Sequence, residues 1–202
     1  MSPRPQIDHI RRPQILGAAA EVIAERGVSG TRIADVAARA GTSSAAILYW
    51  FGSKDRLLAE ALTFEEERFY ADLDQRLAAL ESPRDRLLLL IGAAVGGADW
   101  WLWMELWTRA LRDAELGKAR KELDDKWRAH IVDIVRDGQA AGEFGSVDPD
   151  DAAVTLASLI DGLAVQDAFG DPSVADGRMR QLTIRAAELL LECELEPEAV
   201  RG

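Results

Sequence analysis

The chain has 202 residues, 48% of them apolar and 29% charged, with a net charge of −11 at pH 7 and one cysteine. That length suffices for a buried core, the composition excludes a disordered or fibrous chain, and a lone thiol excludes an internal disulfide. The longest uncharged apolar run, Leu87–Ala98, is 12 residues, too short to cross a bilayer, and the polar start with Arg4, Arg11, Arg12 and three prolines lacks the apolar centre of a signal peptide, so a cytoplasmic protein with no membrane partner is expected.

Apolar residues recur at helical spacing along almost the whole chain, and no stretch alternates as a strand does. Ile15, Ala18, Ala19, Val22 and Ile23 form a first stripe, ended by Gly27 as a C-cap. Thr31 is placed to cap a short helix carrying Ile33, Val36 and Ala37, which stops at Gly41. Ser43 or Ser44 can cap the next short helix, through about Trp50; Gly52-Ser53 then precedes a long helix from Lys54 to about Leu80. Ser82-Pro83 opens a helix over Arg84–Val95, and a Trp-rich helix follows from Asp99 to Arg112. Further helices are expected from about Leu116 to Ala141, from Asp148-Pro149 to about Phe169, and from about Val174 to Glu194. The reading is all-α, about nine helices, with three short ones before residue 55 and long ones after it.

Arg32–Phe51, RIADVAARAGTSSAAILYWF, has the grammar of a helix-turn-helix. Ala37 is the small residue at the helix contact, and Gly41 tolerates the positive φ of the turn. Ile33, Val36, Ile47 and Leu48 are expected to lock the two helices together. The second helix begins with short side chains, Thr42, Ser43, Ser44, Ala45 and Ala46, which let a recognition helix enter the major groove; hydroxyls there can meet phosphates or bases, and Ala methyls can meet thymine methyls. An ordinary helical corner packed on a core would show the same glycine turn. The charge balance is compatible with DNA: eight basic and six acidic side chains fall in residues 1–60, against 16 basic and 29 acidic beyond, and only a local face need meet phosphates.

The run from Ile15 to Leu58 resembles the DNA-binding region of the TetR family of transcriptional regulators. The matching features are the Gly27-x-x-Gly30-Thr31 step, Ile33–Ala37, Ala40-Gly41 and Tyr49-x-Phe51-x-x-Lys54. The resemblance implies that Thr31 and Lys54 hold phosphates, a role that helix N-termini favour on their own account, and that Tyr49 and Trp50 flank the groove. With these, Arg32, Thr42, Ser43, Ser44 and Ala45 complete the candidate DNA-binding set. Arg11 and Arg12 can reach a phosphate or form a solvated tail. Leu48 replaces the Tyr or His common in the family, and Ala45-Ala46 replaces Gly-Thr, so few long hydrogen-bonding side chains remain for base readout, and methyl contacts and DNA shape gain weight.

The remainder reads as a helical bundle. In the family such a bundle holds an effector pocket and a dimer face, which implies a helix-turn-helix domain over 1–54 and an effector and dimerisation domain over 55–202. Two-fold reading of a palindromic operator requires a homodimer, and Leu156, Ile160, Leu182, Ala186 and Leu189 are the candidate interface positions. Trp100, Trp103, Met104 and Trp107 share one helical face, with Trp101 and Glu105 beside it. Aromatic rings with nearby carboxylates favour a cation, and Asp99, Glu105 and Glu66 or Glu67 can supply the charge; the candidate effector set is Asp99, Trp100, Trp101, Trp103, Met104, Glu105, Trp107 and Glu67. The competing reading is that the tryptophans fill a core.

The C-terminal half, in the runs WxLWMELWTRALRDAELGKAR, GQAAGEF and VDPDDAAVTLASLIDGLAVQ, resembles choline-responsive repressors of betaine synthesis, which implies a repressor released by a small effector such as a choline-type or polyamine cation. A regulator answering to a neutral hydrophobic ligand, and a ligand-binding helical protein with a vestigial helix-turn-helix, stay open. His9, His130 and Cys193 are scattered, so no metal or other cofactor is expected. No nucleophilic arrangement or phosphate loop suggests an enzyme.

Overall fold

The computed structural model describes residues 4–96, 100–112, 114–175 and 177–195. Among the described residues every regular element is a helix: α1 (Arg4–Gly30), α2 (Ile33–Arg39), α3 (Ser44–Phe51), α4 (Lys54–Ala78), α5 (Pro83–Gly96), α6 (Trp100–Ala110), α7 (Ala114–Ala140), α8 (Pro149–Ala168) and α9 (Arg178–Leu191). The helix starts follow local chemistry. Ser43 Oγ accepts from the Ala46 amide and Ser53 Oγ from the Arg56 amide, both at 3.1 Å. Asp148 Oδ1 accepts from the amides of Asp150 and Asp151 at 2.9 and 3.0 Å, with Pro149 in the first turn; each cap satisfies donors that a helix leaves unpaired.

Two helix starts differ most from expectation. The first helix starts at Arg4 and carries Pro13 inside it; proline removes one backbone donor, and the helix continues on either side. The last helix starts at Arg178, because Asp171 Oδ1 accepts from the Ser173 amide at 2.8 Å and turns the chain, and Gly177 (φ 80°) precedes the first helical residue. Val174, expected at the helix start, packs in the core instead.

The chain forms two compact units: residues through Asp72 with Trp101–Gly117, and Leu73–Trp100 with the residues from Lys118 onward. The chain therefore passes between them three times, within α4, α6 and α7.

In the first unit, Ile15, Ala19, Val22, Ile23, Val36, Ala37, Ile47, Phe51, Leu57, Leu58 and Ala61 build one core. Gly27 (φ 69°) breaks α1 so that the chain can turn into α2, and Gly41 (φ 62°) makes the turn into α3; both lie in the left-handed region that glycine adopts without cost. Ion pairs staple the corner: Arg39 bonds Glu21 at 2.9 Å and Glu25 at 2.8 Å, and Arg26 bonds Asp35 at 2.8 Å.

In the second unit, α5, α8 and α9 pack on one another. Ala94, Ile160, Leu163, Ala164, Val174 and Met179 form a buried cluster there, on which Trp100 and Trp127 rest. Gln139 Nε2 ties down the loop before α8 by donating to the Gly145 and Val147 carbonyls at 2.9 and 2.7 Å.

Candidate DNA-binding face and effector site

The second helix of the motif has two sides. Ile47 and Phe51, four residues apart, are fully buried in the first unit's core. Ser43, Ala45 and Tyr49 are exposed, Thr42, Ser44 and Trp50 half-buried, and the Tyr49 and Trp50 rings meet edge-on at 5.9 Å. Leu48, expected to lock the helices, is instead 44% exposed: it lies one position past Ile47 and so turns about 100° away from the core.

Thr31 also differs from its expected roles. The cap position of α2 is Arg32, and Thr31 is 1% exposed, its hydroxyl donating to the Gly27 carbonyl at 2.7 Å and its amide to the same oxygen at 3.1 Å. Its hydroxyl proton is committed to the broken end of α1, so its side chain positions the corner and offers no free donor to a phosphate.

The cations sort cleanly. Arg12 pairs with Glu60 and lies 5.0 Å over the Phe51 ring, while Arg56 pairs with Glu60 at 2.9 Å. Arg12 is thus a structural residue. With Arg26 and Arg39 spent on the corner, the described basic side chains up to residue 60 that make no ion pair are Arg11, Arg32 and Lys54. Arg32 precedes α2 and Lys54 opens α4, so two of these free cations stand at helix N-termini, where backbone amides also favour an anion.

The effector set is placed unevenly. Trp100 packs on the second unit's buried cluster, and so does Trp127, a ring that sequence spacing did not group with it; the cluster is made of residues that α5, α8 and α9 bury there. Met104 and Trp107 are half-buried on the same face of α6. Asp99, and the side chains of Trp101, Trp103 and Glu105, lie outside the described residues. Glu67 is exposed to solvent, whereas Glu66 is 7% exposed, in line with Leu62 and Tyr70 on the buried side of α4. Among the described carboxylates of the set, Glu66 is therefore the one withdrawn from water, which the four-residue spacing to Leu62 and Tyr70 could have indicated.

The interface set also splits. Leu156 and Ile160 are 2% and 3% exposed within a single chain, so they are core and cannot be covered by a partner. Leu182 and Ala186 are half-buried and Leu189 is 73% exposed. Val154 and Phe169, not singled out from the sequence, are 51% and 80% exposed on α8 and at its end.

Between α7 and α8, burial and then the like charge of Asp124 push Asp161 up to about 6, against the opposing pull of Arg120 and Arg128. Burial likewise raises the Cys193 thiol, which makes it a poor nucleophile. Among the described residues no three His, Cys, Asp or Glu side chains converge as metal ligands, and no helix is long and apolar enough to cross a membrane.

Comparison with known proteins agrees with this geometry. Residues 15–61 match the family model of bacterial regulatory proteins of the TetR family, and residues 83–192 match that of the C-terminal domain of BetI-type transcriptional repressors. The HTH-type transcriptional regulator BetI of Burkholderia ambifaria (strain MC40-6) is 29% identical over 199 residues, covering 94% of this chain and 98% of the relative. Among solved structures, a transcriptional regulator from Saccharomonospora viridis in complex with choline is 31% identical with a TM-score of 0.83, over 91% of this chain and 98% of that one. A TetR-family regulator from Rhodococcus sp. is 30% identical with a TM-score of 0.72, over 90% and 98%. The chain belongs to the TetR family of transcriptional regulators and carries the C-terminal domain of its BetI-type repressors.

Proposed function

We propose that this repressor binds a palindromic operator as a cytoplasmic homodimer through residues 1–54, and that residues 55–202 bind a small organic cation that releases it. The observation that carries the DNA reading is the placement of free charge: Arg32 and Lys54, without carboxylate partners, stand at the starts of α2 and α4, the helices that precede and follow α3 in the chain. Phosphate contacts from such residues fix register and orientation without reading sequence. The apolar Val154, Phe169 and Leu189 on α8 and α9 support a dimer built from these helices, with Leu182 and Ala186 at its margin. The work is binding, not catalysis.

For the effector, support comes from the chemistry of the aromatic residues and of Glu66, and from the choline held by the Saccharomonospora viridis relative. A desolvated cation gains about 2 kcal/mol from each ring it faces, and a nearly buried carboxylate such as Glu66 interacts with a charge more strongly than one in water. A ligand releases DNA only through unequal affinity for the free and bound conformations.

The test is a mobility-shift titration on DNA from upstream of the protein's own reading frame, with choline, betaine aldehyde, spermidine and a neutral hydrophobic compound, while Trp fluorescence is followed. Release by a cation, abolished in Glu66→Gln with DNA binding intact, is the expected result. Release by the neutral compound alone would overturn the cation reading. Failure to bind any upstream DNA would return the helix-turn-helix to a vestigial role.

A further inference from the structure

We propose that Leu48, with Ala45 beside it, reads the 5-methyl groups of thymines in the operator's major groove. The inference rests on the reading of α3 as the groove-facing helix and goes beyond it by naming what that helix recognises.

The inward side of α3 is settled by Ile47 and Phe51, at 0% and 1% exposure. At 100° per residue, Leu48, Ala45 and Tyr49 then follow one another around the outer arc, with Ala45 and Leu48 adjacent by their three-residue spacing. Ala45 is exposed and Leu48 keeps 44% of its surface in water.

The chemistry available on this arc is narrow. The eight residues of α3, SAAILYWF, include no Arg, Lys, Asn, Gln, Asp or Glu. Bidentate reading of a guanine or adenine edge needs a guanidinium, ammonium or carboxamide, and reading of the cytosine amine needs a carboxylate. The serine before the helix is also partly committed, because Ser43 Oγ accepts from the Ala46 amide. Apart from the phenol of Tyr49, which is read as flanking the groove, what the arc offers is a branched alkyl group next to a methyl. The base feature that gains from such a contact is the thymine 5-methyl, which A·T presents in the major groove and no other unmodified pair does. Burying Leu48 against it also removes an exposed apolar side chain from water.

The test uses the full-length protein. Duplexes are selected from a random-sequence library, and in the tightest binder each thymine is replaced in turn by deoxyuridine, which deletes the methyl and leaves the pairing and the O4 acceptor unchanged. The expected outcome is a loss of about fourfold for each half-site at one or two thymines, the ratio that one buried CH2 group is worth. Leu48→Ala, which alters only an exposed position, should bind the thymine and deoxyuridine duplexes equally, while Leu48→Met should keep a preference for thymine. An enriched sequence whose deoxyuridine versions bind wild type as well as the parent overturns the proposal and leaves the DNA-binding reading standing. So does a methyl preference that persists in Leu48→Ala. If no sequence is enriched at all, the reading of α3 as the groove-facing helix falls, and this inference with it.

Discussion

Replacing Asp161 with Asn should stabilise the protein, and by an amount that depends on pH in the direction opposite to that of most carboxylates. Burial, then Asp124, raises this carboxyl from 3.8 to about 6. The folded state therefore holds the proton more tightly than the unfolded chain does. Between pH 4 and 6 the unfolded chain ionises first, so stability falls as pH rises through that window and stays lower above it. In full, a shift of that size costs the folded state about 3 kcal/mol at pH 8. Asp161 is only half-buried, and solvent screening reduces the figure to about 1.5 kcal/mol. Asp161→Asn keeps the shape and removes the charge, so the melting temperature at pH 8 should rise by about 3–6 °C for a chain of this length. At pH 5 the folded carboxyl is mostly protonated while the unfolded one is ionised, and the gain should be about half as large. Thermal melts of wild type and variant at pH 5 and pH 8 measure both. Equal gains at the two pH values would show that the benefit does not come from charge, and a loss at pH 8 would show that Arg120 and Arg128 outweigh burial.

Lys54→Ala should weaken binding to specific and random duplexes alike and reduce the slope of log K against log salt by about 0.9 per protomer, as expected for one lost phosphate contact; an unchanged slope would remove Lys54 from the phosphate set. Thr31→Val, which deletes the hydroxyl bond to Gly27, should cost about 1 kcal/mol of stability without changing that slope, and a reduced slope would restore the phosphate role to Thr31. Leu189→Glu should yield folded monomers in sedimentation or size-exclusion measurements, whereas Leu156→Ala should lower stability by about 2–5 kcal/mol through a core cavity; dimers that survive Leu189→Glu would move the interface elsewhere.

What could be read without coordinates was whatever depends on a few neighbouring residues. Helix caps are local: Ser43, Ser53 and Asp148 each bond an amide two or three positions ahead, so residue type and spacing identify them. The left-handed turns at Gly27 and Gly41 and the three-helix grammar of the motif are legible for the same reason. The tertiary structure decided which side of each helix is used, because periodicity marks an apolar stripe without saying what covers it. Leu48 belongs to an apolar run yet faces water, since Ile47 and Phe51 already fill the core beneath α3. Leu156 and Ile160 have the spacing of an interface but are covered by their own chain, and the outward positions fall to Val154, Phe169 and Leu189. Glu66 and Glu67 are indistinguishable as letters, and one 100° step of α4 withdraws the first from water and exposes the second. Thr31 has the right type for a cap, but the cap position of α2 falls one residue later, at Arg32, and the break of α1 at Gly27 leaves a carbonyl 2.7 Å away to which the Thr31 hydroxyl donates.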